Sequence, residues 1–205
     1  MVEIDSQVAM REGWLEQLVC KAGTREHESL LAVEAMPRTI HAALLAAGLA
    51  SGAPGSWSEG AADASGSPTF TFVAPRGDRV TLRVRWSEGG AIREVPLCDW
   101  VRRAPSASHD GGEQSASPDS FPCDRFVFAG SLVRANPPSL GEGEHYVADF
   151  TGSIVGLVTF GDEVIAFDEV IPDRIDVAAP SWEARTSAIP PEGTPVTLII
   201  EPAAR

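Results

Sequence analysis

The sequence predicts an α+β protein with a mostly antiparallel or mixed β-sheet, in a single domain over residues 1–205. Three observations support this fold class. Short apolar segments with an approximate period of two recur along the chain. The 16 prolines and 19 glycines favour turns and short elements. One main helix is predicted at 37–47, and strands do not alternate with helices as a doubly wound parallel sheet would require.

The N-terminal part is predicted to form two strands and then the main helix. The segments "GWLEQLVC" (13–20) and "HESLLAVEA" (27–35) are apolar on a broken period of two, which is typical of strands. Pro37 then occupies a favoured first helical position, and Gly48 is suited to the C-terminal cap. The helix therefore follows the second strand after a short connection.

The rest of the chain is predicted to be rich in strands. Flexible loops are predicted at 50–68 and 104–122, where small polar residues lack periodicity. Pro96 opens a predicted short helix at 96–103. A half-buried strand is indicated where apolar and polar residues alternate, namely Val80, Leu82, Val84 and Trp86 between Arg79, Thr81, Arg83 and Arg85. Further strands follow, and the last is "TPVTLIIEP" (194–202).

The charge balance excludes several classes of partner. The chain has 29 acidic and 16 basic residues, a net charge of −13. Phosphate backbones and anionic lipid surfaces repel such a protein, so no nucleic-acid partner is predicted. No apolar run approaches the roughly 20 residues of a membrane span. The acidic start "MVEIDSQVAM" does not resemble a signal peptide. No nucleotide-binding motif is present, and no cofactor is predicted.

The three cysteines leave two alternatives open. Cys20, Cys98 and Cys123 are widely spaced, and no C-x-x-C motif indicates a redox pair or a zinc ribbon. Either all three are free thiols or one disulfide accompanies a single free thiol.

The segment "TREHESLL" (24–31) resembles the first half of the zinc-protease signature H-E-x-x-H. Leu31 occupies the position of the second histidine, and a strand would place His27 and Glu28 on opposite faces, so a zinc protease is excluded. Two interpretations of His27 remain: an inward, hydrogen-bonded side chain, or a ligand or catalytic group. Its candidate partners are Glu26, His41 and Asp149.

A row of arginines is predicted on one strand. Arg79, Arg83 and Arg85 would share a face, and Arg93 on the adjoining strand would extend the row. Such a row indicates either an anion site or subunit contact, or a solvated face crossed by ion pairs.

Several stretches together resemble the YdjY-like domain family. "GWLEQLVCKAGTREHESLL" followed by "IHAALLAAGL" is similar to the family's opening, which has a G-x-L-E strand, a G-T-K-E-H-E-S stretch and an H-A-A-L-L helix. "FVFAGS", "HYVADFTGSIVGL" and "IPPEGTPVTLIIEP" are similar to later family segments. Arg25 replaces the usual lysine, Phe126 replaces the usual tryptophan, and "TFGDEVIAFDEVIP" differs from the family's Asn-Phe stretch.

The resemblance implies a bacterial protein exported from the cytoplasm, and it implies no established activity. Some family members are associated with iron–sulfur segments, but the cysteine cluster that these need is missing from this sequence. The matching positions Glu26, His27, Glu28, Ser29 and His41 are a candidate surface.

Three hypotheses about function follow. The first is a soluble, non-enzymatic or accessory domain that binds a small ligand, a metal ion or a protein where "REHES" meets the helix of His41. The second is a metal-assisted hydrolase, or another enzyme, that uses His27, Glu28 and His41 or Asp149. The third is a purely structural role for these polar residues.

Overall fold

A computed structural model describes residues 1–104, 121–179 and 181–203 of the chain. The helices are α1 (Pro37–Ala46) and α2 (Ala148–Thr151), and 3₁₀ turns cover Glu26–Glu28, Leu97–Trp100 and Pro138–Leu140. The strands are β1 (Val2–Val8), β2 (Gln17–Lys21), β3 (Ser29–Val33), β4 (Ser51–Ala53), β5 (Ser56–Glu59), β6 (Phe70–Val73), β7 (Arg76–Gly77), β8 (Arg79–Glu88), β9 (Ala91–Pro96), β10 (Val101–Arg103), β11 (Phe126–Val127), β12 (Val133–Ala135), β13 (Glu144–Tyr146), β14 (Ser153–Gly156), β15 (Ile165–Phe167), β16 (Trp182–Ala184) and β17 (Pro195–Pro202).

Eight strands form a closed barrel, in the order β11-β15-β14-β2-β3-β1-β17-β8, because β8 also pairs with β11. The β2–β3 and β14–β15 pairs are parallel, and the other neighbours are antiparallel. β9 extends the sheet beyond the barrel as a hairpin with β8. The predicted α+β class is therefore wrong. The sheet closes on itself through β11, a two-residue strand too short to leave a period in the sequence.

The helices are small parts of this fold. α1 occupies the segment predicted as the main helix, with Pro37 at its start and buried Ile40 and Leu44 facing the core. It does not cover a sheet as a layer of its own. The short helix predicted at 96–103 is wrong, because only Leu97–Trp100 form a 3₁₀ turn and Val101 then starts β10.

The long strand β8 was predicted correctly, whereas several strands of two to four residues were not predicted. In β8 the predicted alternation is confirmed, with Val80, Leu82, Val84 and Trp86 all buried. The segment 50–68, predicted as a loop, contains β4 and β5, which pair with β7 and β6. The predicted loop at 104–122 lies outside the described residues from 105 to 120.

One hydrophobic core connects the whole barrel. Side chains from all eight barrel strands and from α1 belong to a single buried cluster, whose largest members include Trp100, Phe126 and Phe128. A disulfide between Cys98 and Cys123 joins the 3₁₀ turn before β10 to the segment before β11. Cys20 is buried and free. One disulfide and one thiol is thus the arrangement present.

Candidate functional site

The "REHES" segment is not a strand at its histidine. Glu26–Glu28 form a 3₁₀ turn, and the strand begins at Ser29. The turn is fixed by Glu26, whose carboxylate accepts a hydrogen bond from the Gly23 amide, and this bond lowers the pKa of Glu26. This turn shows that the predicted strand geometry of His27 is wrong. Its side chain is 78% exposed, so of the two interpretations of His27 the inward, hydrogen-bonded one is wrong.

Glu28 has two partners in this turn. The Arg25 guanidinium lies 3.0 Å from Glu28 Oε1, and Nε2 of His27 lies 3.6 Å from Glu28 Oε2. Sequence reasoning missed a third neighbour, Glu16, whose backbone amide donates to the Glu28 carbonyl over 3.1 Å and whose carboxyl group interacts with that of Glu28. Burial, followed by this contact with Glu28, raises the pKa of Glu16 to about 7. Glu16 and Glu28 are called the acid pair below.

The other two predicted residues, His41 and Asp149, lie in a second place. Nδ1 of His41 lies 3.0 Å from the Gly130 carbonyl oxygen and 2.9 Å from the Tyr146 hydroxyl. Tyr146 also donates to the Gly130 carbonyl over 2.9 Å. Burial lowers the pKa of His41 and raises the pKa of Tyr146. These polar atoms fix α1 against the chain after β11.

Asp149 is bound to the start of α1. Its side chain is 2% exposed, accepts a hydrogen bond of 3.0 Å from the Arg38 backbone amide, and pairs with the Arg38 guanidinium. A carboxylate at the N-terminus of a helix is also favoured by the helix dipole. Asp149 thus joins α2 to α1, and it does not meet His27.

The predicted arginines all have carboxylate partners. Arg79 pairs with Asp168, Arg83 with Glu94, Arg85 with Glu3 and Glu94, and Arg93 with Glu88. In the β8–β9 register Arg93 stands opposite Trp86, whereas Glu94 stands opposite Arg85. Because opposite residues share a face, Arg93 lies on the other face and does not extend the row, so that part of the prediction is wrong.

An open cleft of about 320 Å³ lies beside the "REHES" turn. It is lined by the chain around the start of β5, by the start of β12, and by the loop that follows β14. We call it the Trp57 cleft. Its lining residues are Ala53, Pro54, Gly55, Ser56, Trp57, Leu132, Arg134, Thr159, Phe160, Gly161 and Asp173.

The polar groups of the Trp57 cleft are few and distinct. Nε1 of Trp57 donates to Oδ1 of Asp173 over 3.0 Å. Arg134 forms no ion pair within 4.0 Å in the described part of the chain, and Asp173 is not its partner. Sequence reasoning missed this cleft because Trp57 lies in a segment predicted as loop.

The loop at 159–161 is held in place by the buried carboxylate of Glu163. One carboxylate oxygen of Glu163 accepts hydrogen bonds from the amides of Phe160 and Gly161, while Oε2 has no hydrogen-bond partner among the described residues. Glu163 is 1% exposed, and burial raises its pKa to about 7. The same loop is contacted by Arg25, whose guanidinium lies 4.1 Å from the centre of the Phe160 ring. Arg25 therefore links the "REHES" turn to the cleft.

A second, smaller cleft of about 100 Å³ adjoins the acid pair. Its lining is mainly apolar and includes Trp14, Ile171 and Ile175, with Glu16 and Asp173 as its carboxyl groups. Asp173 lines both clefts.

The predicted ligand residues do not form a metal-binding geometry. Among the described residues, one group of three metal-ligating side chains places its ligand atoms within 4.8 Å of one another: Cys98, Asp99 and Cys123. Two of these three are joined in the disulfide and offer no thiolate. None of Glu26, His27, Glu28, His41 and Asp149 belongs to that group.

Comparison of this chain with known protein families, curated proteins and solved structures identifies its family and nothing narrower. No helix in the described ranges is both long and apolar enough to pass through a lipid bilayer. No curated protein and no solved structure matches the chain. A family model, that of the YdjY domain, matches residues 1–201 of the 205. The chain therefore belongs to the YdjY domain family.

Proposed function

We propose that this chain is a non-enzymatic, accessory binding domain whose ligand is a small molecule held in the Trp57 cleft. The supporting observation is the composition of this cleft. Its volume of about 320 Å³ is at the lower end of the range for small-molecule sites. It combines the rings of Trp57 and Phe160 with the charged groups of Arg134 and Asp173.

The chemistry of the cleft lining favours binding over catalysis. None of its described lining residues is a histidine or a cysteine, and its hydroxyl groups, on Ser56 and Thr159, have no imidazole beside them in the lining. Nucleophilic catalysis would need such a base within hydrogen-bond reach. Aromatic rings, together with one positively and one negatively charged side chain, are instead suited to recognising a ligand.

A thermal-shift screen of a small-molecule library tests this proposal. We expect hits that raise the melting temperature of the wild type and fail to raise that of Trp57→Ala. Phe72→Ala is the matched control, since Phe72 stands opposite Trp57 in the β5–β6 hairpin, is 53% exposed and does not line the cleft. Hits that persist in Trp57→Ala, or no hits at all, would contradict the proposal.

A second candidate function is acid–base catalysis by the acid pair, with His27 beside it. It is favoured by the position of Glu16, which lies beside Glu28 and lines the smaller cleft, where burial and the contact with Glu28 raise its pKa to about 7. A carboxyl group that titrates near neutral pH is suited to proton transfer. Hydrolysis of nitrophenyl esters and glycosides that is present in the wild type and in Glu12→Gln, but absent in Glu16→Gln, would support it.

We also propose that the domain acts outside the cytoplasm. The disulfide between Cys98 and Cys123 supports this compartment, because such bonds persist mainly in oxidising environments. Fractionation of the native host, followed by thiol labelling without reductant, tests it. Recovery of the protein in the cytoplasm with three free thiols would contradict it.

A further inference from the structure

We infer that the ligand of the Trp57 cleft is a small zwitterion, a molecule that carries an acid group and a cationic nitrogen, such as a free amino acid or a betaine. This inference rests on the proposed function, because it names the chemical class of that ligand. Its basis is the pair of opposite charges in the lining, Arg134 and Asp173.

Arg134, like Arg11, Arg76 and Arg103, forms no ion pair among the described residues, and it alone of these four lines the Trp57 cleft. The chain carries 29 acidic residues against 16 basic ones, and arginines such as Arg79, Arg83, Arg85 and Arg93 are all paired with carboxylates. Arg134 has no such pair among the described residues, although it lines a cleft. Guanidinium groups bind carboxylates through two parallel hydrogen bonds, so this side chain is suited to an acid group of a ligand.

Asp173 supplies the opposite charge. Oδ1 of Asp173 accepts the hydrogen bond from Trp57, and neither oxygen of Asp173 is in an ion pair within the described part of the chain. Its carboxylate therefore remains available for a cationic nitrogen. Because Arg134 and Asp173 line one cleft without pairing, a ligand with both charges can neutralise them together.

The rings of the cleft can hold a ligand cation only on a face that the neighbouring guanidinium leaves free. Trp57 and Phe160 both line the cleft, and each already has a guanidinium near its ring, Arg174 at 5.7 Å and Arg25 at 4.1 Å from the ring centres. Aromatic faces attract ammonium groups, including fully methylated ones. Amino acids and betaines share this chemistry. An amino acid also offers N–H donors to Asp173, whereas a betaine depends on the rings.

The size of the cleft limits the ligand. At about 320 Å³ it lies near the lower end of the range of roughly 300–1,000 Å³ for small-molecule sites. This volume fits a molecule of amino-acid size and is small for a dinucleotide or an oligosaccharide.

Isothermal titration calorimetry on the full chain tests the inference with five probes. These are L-proline, L-phenylalanine and glycine betaine as zwitterions, acetate as an anion, and choline as a cation. We expect at least one zwitterion to bind more tightly than acetate and choline. Preference for an amino acid over betaine would assign the cationic contact to Asp173, and the reverse preference would assign it to the rings.

Two pairs of variants locate the contacts. Arg134→Gln and Asp173→Asn should each weaken zwitterion binding by about tenfold or more, the size expected for one charged hydrogen bond. Arg93→Gln and Asp5→Asn make the same changes of charge outside the cleft lining and should leave the affinity unchanged.

The outcomes separate this inference from the proposed function. If acetate or choline binds as tightly as every zwitterion, or if library hits require Trp57 while all zwitterions fail, the zwitterion inference is overturned and small-molecule binding stands. If neither the library nor the five probes bind, both are overturned.

Discussion

Glu16 and Glu28 lie side by side at the start of the parallel strands β2 and β3. The amide of Glu16 donates to the carbonyl of Glu28 over 3.1 Å, and the Glu28 carboxyl group helps to raise the pKa of Glu16. The register explains this contact, since the next residues along the two strands, Gln17 and Ser29, are paired. Two acidic side chains separated by eleven residues are thereby held side by side, and Glu16, which lines the smaller cleft, keeps its proton up to near neutral pH.

The acid pair should make stability depend on pH. The pKa of Glu16 is raised from 4.5 to about 7 in the folded state, so the folded chain binds more protons than the unfolded chain between these values. The contribution of Glu16 to the free energy of unfolding is therefore fully present below about pH 4.5 and is lost as the pH rises through 7. Glu16→Gln should reduce the decline between pH 5 and pH 8, measured by urea unfolding. Glu12→Gln, a change in the same segment, should not, and an unchanged decline in Glu16→Gln would contradict this assignment.

Glu163 should respond to substitution in two opposite ways. Its buried carboxyl has a pKa raised to about 7, so at pH 8 the folded state carries a desolvated charge. Glu163→Gln keeps an oxygen for the amides of Phe160 and Gly161 and removes that charge. The variant should gain stability relative to the wild type as the pH rises from 5 to 8.

The comparison variant for this position is Glu163→Ala. It removes the acceptor for both amides and should lose about 1–3 kcal/mol of unfolding free energy at pH 5. Chemical denaturation at pH 5 and pH 8 measures both effects. Equal pH dependence of wild type and Glu163→Gln would show that the wild-type carboxyl is not desolvated.

The phenol of Tyr146 should resist ionisation. It is the one tyrosine of the chain, so absorbance at 295 nm follows this group alone. Burial raises its pKa above the ordinary value of 10. The folded protein should show no phenolate signal at pH 10, whereas the chain unfolded in guanidinium should titrate near 10. Titration of the native protein at the ordinary value would mean that the contact with Gly130 does not exclude water.

Loss of the Tyr146 hydroxyl should cost little stability. Tyr146→Phe removes the hydrogen bond to the Gly130 carbonyl and the contact with Nδ1 of His41, but the Gly130 carbonyl and His41 remain partners of each other. The expected loss is about 0.5–1.5 kcal/mol of unfolding free energy. A loss far above this range would indicate that the hydroxyl supports more than the α1 contact.

The cysteines should be distinguishable by thiol counting. With Cys98 and Cys123 joined and Cys20 buried, a thiol reagent should find none in the native protein. After unfolding, the reagent should detect one free thiol without reductant and three free thiols with reductant. Replacing both Cys98 and Cys123 by serine should lower the unfolding free energy by about 2–4 kcal/mol. One reactive thiol in the native state would show that Cys20 is accessible.

Local patterns in the sequence predicted local structure well. The alternation in β8 and the proline and glycine around α1 are properties of neighbouring residues, and both features are present. Barrel closure depends on β11, where Phe126 and Val127 pair with β15 on one side and β8 on the other. No pattern in a two-residue strand can reveal such distant partners.

The site was less predictable for the same reason. Glu28 was predicted as a candidate, but its partner Glu16 depends on the parallel register of β2 and β3. Trp57, Arg134 and Asp173 come from three distant segments and meet only in the folded chain. His27 was misplaced because Glu26 bonds back to Gly23 and forms a 3₁₀ turn before the strand begins.

The pairing of β1 with β17 has a consequence for biosynthesis. Six residue pairs join the N-terminal strand to the C-terminal one, and β17 also separates β1 from β8. A nascent chain that has not yet released residue 195 from the ribosome thus exposes two unpaired strand edges, and such edges are templates for aggregation. Completion of this barrel must therefore await the synthesis of β17, and every earlier folding intermediate leaves β1 and β8 without their shared neighbour.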